Sequence, residues 1–161
     1  MRRAGGRQRG LLWSRAARLG QAAWLFGNLY EGMIGMPQVL ADARSVRPAG
    51  LLAEGSPVRY FVPVAGIALA PTGITLTQSW RTGADRRLIA ATATCLGVAL
   101  VLSAYLIRTV NVPLLAGHGP LDEPDRGRLV RLWHRGNVVR VVALAVATTL
   151  FSRLPPPRRL S

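Results

Sequence analysis

The sequence predicts an all-α integral membrane protein, a four-helix bundle with an antiparallel up-down course and both termini in the cytoplasm. Three observations carry that expectation. Half of the 161 residues are hydrophobic although the net charge is +14, so charge and apolar residues must be segregated along the chain. The apolar residues gather into four long runs, each close to the roughly 20 residues that a bilayer core requires of a helix. The arginines gather between those runs and at the ends.

The first run covers about residues 22–40, after the less apolar stretch 11–19. The others cover about 58–79, 88–115 and 129–154. A soluble helix shows a polar stripe repeating every 3.6 residues, and Ala90–Ala104 shows none. A soluble bundle is therefore the weaker reading. The division that follows is a basic segment over 1–21, a transmembrane domain over 22–154 and a short Pro/Arg tail over 155–161.

Orientation follows from the charges. Twelve arginines fall on one side, at the N-terminus, in the loop with Arg81, Arg86 and Arg87, and in the tail. Seven fall on the other side, beside five acids. Positively charged loops stay in the cytoplasm, so the expected location is the cell membrane, multi-pass. The interrupted apolar stretch after the basic start, with no small-residue cleavage pattern, reads as a retained helix rather than a signal peptide. Its arginines suit anionic lipid headgroups. Nucleic acid is not an expected partner, because no folded basic face with base-reading side chains is present.

Cys95 is the only cysteine, which excludes a disulfide framework. One cysteine with two separated histidines, His118 and His134, gives no persuasive metal site. The use of arginine throughout, with no lysine, carries no functional meaning by itself.

Polar residues inside apolar runs point to function, because ionisable groups in a membrane are costly and face the bundle interior. The first helix offers Asn28, Tyr30 and Glu31. The third offers Tyr105, Arg108 and Asn111, whose spacing of three predicts one shared face. The fourth offers Trp133, Asn137 and Arg140 at i, i+4 and i+7, again one face, with His134 beside it. The second helix is poor in polar residues, but Pro63, Gly66, Pro71 and Gly73 can bend it and open space.

If Glu31, Arg108 and Arg140 are all interior, two cations face one anion. An acidic or phenolic ligand then completes the site, since the planar guanidinium fork suits a carboxylate or phenolate. The other reading of Arg108 is that it snorkels to the interface. Glu31 and Arg140 read first as an ion pair joining two helices. Asn28, Asn111 and Asn137 each also serve as hydrogen-bonding contacts between helices, worth roughly 1 kcal/mol. His134 has the imidazole chemistry that proton abstraction needs.

Three pieces in this order carry a resemblance. They are Gly27-Asn28-Leu29-Tyr30-Glu31-Gly32 in the first helix, Thr109-Val110-Asn111-Val112-Pro113-Leu114 ending the third, and Trp133-His134-Arg135-Gly136-Asn137-Val138-Val139-Arg140 opening the fourth. Together they resemble the anthrone oxygenase-like family of small four-helix membrane proteins, over about residues 22–150. The chain departs from the family pattern where Leu115 follows Leu114, in place of a second asparagine. The resemblance implies oxidation of an anthrone-like aromatic polyketide, or another hydrophobic phenol, to a quinone with O2 as co-substrate and no cofactor. His134 or Glu31 would be the base. Arg108 and Arg140 would hold the phenolate, and Asn28, Tyr30, Asn111, Trp133 and Asn137 would line its site. The alternative is a non-catalytic membrane protein, a transporter subunit or an assembly partner. Association into a homo-oligomer is compatible with either.

Overall fold

The computed structural model describes residues 3–36, 57–116 and 122–155. Arg44, Arg47, Asp42, Glu54, His118 and the tail beyond Pro155 lie outside the described residues. The described residues are helical apart from the turn at 82–85 and short helix-end segments, with no strand among them. Helix α1 spans Arg3–Tyr30, α2 Pro57–Arg81, α3 Arg86–Leu106 and α4 Glu123–Ser152. Helix α1 runs unbroken through residues 21 and 22, so the basic segment and the first apolar run share one rod.

Local chemistry sets the ends. Asp85 caps α3, its carboxylate accepting from the Arg87 N–H at 2.8 Å, which satisfies a backbone donor that the helix start leaves free. The preceding turn needs a positive φ, and Gly83 supplies it at +75°. Pro124 sits in the first turn of α4, where its missing N–H costs nothing.

Helices α1 and α3 both widen near their C-terminal ends. A π-helical turn occupies Glu31–Gly35 and another Ile107–Asn111, followed by the helical turn Val112–Ala116. Each π turn ends two residues before a proline in the sequence, Pro37 and Pro113. A proline ring crowds the carbonyl four residues earlier, and for Pro113 that carbonyl belongs to Thr109, inside the π turn. The wider i→i+5 turn makes room.

The inward faces share one periodicity. On α1 they are Ala17, Gln21, Trp24, Asn28 and Glu31; on α4 they are Trp133, Asn137, Arg140, Leu144, Ala147 and Phe151. Helix α3 continues the rule with Ile89, Thr92, Leu96, Ala99, Leu106 and Val110. Alternating steps of three and four are the spacing of interlocking bundle seams. The inner stripes are rich in small and polar residues, whereas Leu19, Phe26, Met33, Ile67, Val101 and Val138 point outward and exposed. That inversion of the soluble pattern suits an apolar solvent.

Three of the helical rods, Arg59–Arg81, Arg86–Leu114 and Glu123–Ser152, are long and apolar enough to cross a membrane. The sequence predicted four. Among the described residues α1 falls short in composition, because it carries Arg15, Arg18, Gln21, Asn28 and Glu31, and residues 37–40 of its expected run are outside the description.

Three apolar layers stack along the bundle. One joins Ala17, Leu76, Ile89 and Phe151. The middle one joins Trp24, Ala68, Leu96, Ala99, Leu144 and Ala147. The last joins Met36, Leu106, Val110, Leu114 and Trp133. Polar side chains fill the intervals. Gln21 Nε2 donates to Thr72 Oγ1 at 3.0 Å between the first two layers. The charged residues lie between the second and third.

Candidate functional site

Along α1, Asn28 and Glu31 separate Trp24 from Met36; along α4, Asn137 and Arg140 separate Leu144 from Trp133. Ser103 occupies the same interval on α3, between Ala99 and Leu106. Apolar layers therefore bracket this level of the bundle on both sides. Both charged residues are buried, Glu31 to 4 % exposure and Arg140 to 5 %. Arg140 Nη2 meets Glu31 Oε2 at 3.0 Å. Two charges so deeply buried persist because each neutralises the other.

Arg140 is held on several sides. Its Nε and Nη2 both donate to Asn137 Oδ1, at 3.2 and 2.7 Å. Its Nη1 reaches Ser103 Oγ at 3.4 Å, a hydroxyl whose own proton goes to the Ala99 carbonyl at 2.8 Å. The guanidinium carbon lies 5.8 Å from the Phe61 ring centre. Asn137 in turn donates through Nδ2 to the Asn28 carbonyl at 3.2 Å. Helix α1 is thus tied to α4 twice, by an ion pair and by an amide.

The set is not saturated. The ion pair uses one carboxylate oxygen, and Glu31 Oε1 has no partner among the described residues. Arg140 Nη1 bears two hydrogens and spends one, on the long bond to Ser103. Asn28 donates through Nδ2 to the Trp24 carbonyl at 2.7 Å, while its buried Oδ1 accepts nothing. Among the described residues a carboxylate oxygen, one guanidinium N–H and a buried amide oxygen are therefore without a partner.

The structure brings Asn28, Glu31, Asn137 and Arg140 into one network. Trp133 is fully buried on the same stripe, in the apolar layer next to it. Asn111 is buried in the α3 π turn with Oδ1 unpartnered, and makes no hydrogen bond to the network. Tyr30, Arg108 and His134 are exposed. Tyr30 and His134 each neighbour an inward residue, Glu31 and Trp133, and one helical step turns them about 100° away. His134 keeps an edge contact with the Trp133 ring, 5.3 Å between centroids.

Two expectations need correction. Tyr105, Arg108 and Asn111 do not share a face, because the π turn at Ile107–Asn111 uses extra residues and rotates Asn111 inward while Arg108 stays out. Among the described residues the interior therefore holds one acid and one arginine, and the missing anion disappears from the charge count. Phe61 and Ser103 were not singled out from the sequence. Ser103 was findable, as it falls on the three-four rhythm of α3, four residues after Ala99 and three before Leu106.

Gly32 has a specific duty. A Cβ there would lie 2.6 Å from Asn137 Nδ2. Gly32→Ala should displace the amide that orients Arg140 while leaving the apolar layers intact. We expect the variant to fold and to lose about 10²-fold in any turnover that uses Arg140, the scale that a misplacement near 1 Å costs. Unchanged turnover in a folded Gly32→Ala protein would separate Asn137 from the chemistry.

Fold and centre together define an all-helical bundle, with three membrane-capable helices and a neutralised ion pair in its interior. No protein-family model, curated protein or solved structure matches the chain significantly.

Proposed function

We propose that this chain is a multi-pass protein of the cell membrane whose Glu31–Arg140 centre acts on a hydrophobic phenolic substrate, in the manner of an anthrone oxygenase-like, cofactor-independent enzyme. The bundle is antiparallel with both termini cytoplasmic, and its basic N-terminus rests on anionic headgroups. The antiparallel course is supported by the facing pairs Gly20 with Ala68, Gln21 with Thr72 and Gly27 with Phe61, in which α2 numbers fall overall as α1 numbers rise. The orientation is supported by the arginine count and the positive-inside tendency.

The observation that carries the catalytic reading is the unsaturated ion pair. Glu31 Oε1 is free to take a proton while Arg140 Nη1 is free to hold the oxygen where negative charge appears. An anthrone CH2 between two rings gives up a proton to such a base. The resulting anthranolate is electron-rich enough to react with O2, yielding the quinone and water. Donors already fixed in a dry site stabilise the anion without reorganisation. In this scheme Glu31 is the base, and His134, exposed on the outer face, has no part.

A second reading has its own observation in its favour. Nη2 of Arg140 joins α4 to α1 through Glu31, and Nε and Nη2 are both satisfied by Asn137 on α4 itself, as in a purely bracing pair. Oxygen uptake by membranes bearing the protein, given a model anthrone and a chelator, separates the two. Empty-vector membranes set the autoxidation rate. Uptake with quinone formation above that rate, lost in Glu31→Gln and within twofold of wild type in His134→Ala, is the expected result. Uptake at the autoxidation rate in every sample would leave the bracing role.

A further inference from the structure

Aromatic and arginine side chains mark two levels of the bundle a bilayer core apart. On α2, Tyr60 and Trp80 are both exposed and stand 20 residues apart, about 30 Å at the helical rise of 1.5 Å per residue. On α3, Arg86 and exposed Tyr105 stand 19 residues apart. Those spans match the hydrocarbon thickness, whose two borders favour Tyr and Trp. The Trp80 level is the end where α1 begins, since Ala17 shares an apolar layer with Leu76, Ile89 and Phe151. There the Arg86 guanidinium lies 4.8 Å from the Trp80 ring centre. At the other level each tyrosine has an exposed arginine on its outer side, Arg59 on α2 and Arg108 on α3.

Helix α4 completes the second level. Twenty residues back from Arg153 is Trp133, so Arg135, Arg131 and Arg128 climb from the hydrocarbon border through the headgroup region. At 100° per residue the three fall within about 60° of one another, on the side of α4 turned away from Trp133 and Arg140. All three are exposed. Acids do not balance them. The ion pair at this end joins Arg126 to Glu123 at 3.6 Å. Among the described residues, none reaches Arg59, Arg108, Arg128, Arg131 or Arg135, and Asp125, one turn before Arg128, leaves it unpaired.

We propose that these five arginines form a docking surface for the phosphates of anionic glycerophospholipids, in the leaflet opposite the basic N-terminus. The inference does not depend on whether the ion-pair centre is catalytic. Guanidinium forks pair phosphate oxygens two at a time, and the arginine stems lie along the acyl chains while the heads reach outward. Each arginine beside an anionic surface contributes about fivefold in partitioning. The five are spread over three helices at one depth, which suits a surrounding lipid shell and not the single face of a protein partner. Held at this level on α2, α3 and α4, and at the other by the arginines of α1, the bundle has a fixed depth in the bilayer.

The test uses purified full-length protein in neutral detergent micelles and a phosphatidylglycerol with a photoreactive headgroup, with crosslinks mapped along the chain. Wild type should be labelled within residues 123–136, and unlabelled phosphatidylglycerol should compete at a concentration at least about tenfold below phosphatidylcholine or inorganic phosphate. Arg128→Gln/Arg131→Gln/Arg135→Gln leaves the inner stripe untouched. It should keep wild-type helicity and lose at least about tenfold of the label there, with labelling of the N-terminal segment unchanged. Arg128→Lys/Arg131→Lys/Arg135→Lys should recover most of it, because an ammonium also holds phosphate as a point charge. Equal labelling of the glutamine variant overturns the proposal, as does labelling confined to the N-terminal segment and the turn after α2. Inorganic phosphate competing as well as the lipid overturns it in favour of a free anion. Polyglutamate competing better than the lipid overturns it in favour of an acidic protein segment.

Discussion

Arg140→Leu should destabilise the bundle by about 3–5 kcal/mol, the range for stranding one member of a buried ion pair. Glu31→Leu should cost a similar amount, for the mirror reason. In the first variant the Glu31 carboxyl is left between two apolar layers with no cation opposite it; in the second the guanidinium is left with no anion. The double leucine variant removes both charges and replaces them with side chains that suit the layers above and below. It should return to within about 1 kcal/mol of wild type. Unfolding in mixed micelles, followed by helicity across the four proteins, gives the coupling energy directly. Single-variant costs under about 1 kcal/mol would mean that water reaches the pair. Equal, additive costs would mean that the two side chains do not depend on each other. The double variant also isolates function from stability, since a well-folded bundle lacking both charges should have no proton-transfer activity.

Helix content was legible because apolar run length is a coarse signal. The stripe Trp133, Asn137 and Arg140 was legible because α4 is regular through that segment, so i, i+4 and i+7 land on one face. A Glu31–Arg140 pair followed from burying two ionisable residues of opposite sign. The failures have local causes. Arg108 and Asn111 were placed together by counting three residues, and a π turn breaks that count. The warning was present in Pro113, two residues beyond the turn, as Pro37 stands two beyond the other. Helix α1 hides its role because polar residues occupy its inward stripe, which lowers its overall apolarity. Phe61 was invisible for a different reason. Its contact with Arg140 depends on how α2 meets α4, and no spacing within one helix encodes that.

The closest helix contact offers a test in which two glycine substitutions have opposite signs. A Cβ on Gly20 would sit 2.6 Å from Ala68 Cα, 3.0 Å from the Ile67 carbonyl oxygen and 3.1 Å from Ala68 N. All three are backbone atoms, so no rotamer change relieves the clash and α2 must move away from α1. The movement would pull on the Gln21–Thr72 bond beside it and open the layer of Trp24 and Ala68. Against this, alanine gains up to about 1 kcal/mol over glycine in helix propensity. Overpacking a tight core costs about 1–3 kcal/mol, so Gly20→Ala should be net destabilising and Gly20→Leu severely so. Gly66 and Gly73 lie on the same helix α2, with nothing within 4 Å of the space a Cβ would fill. There the propensity gain is unopposed, and Gly66→Ala and Gly73→Ala should stabilise by about 0.5–1 kcal/mol each. Thermal unfolding in one detergent ranks all four variants. A neutral or stabilising Gly20→Ala would show that α1 and α2 stand further apart than backbone contact, and Glu31, carried on the same rod, would lose the anchorage that fixes its distance from Arg140.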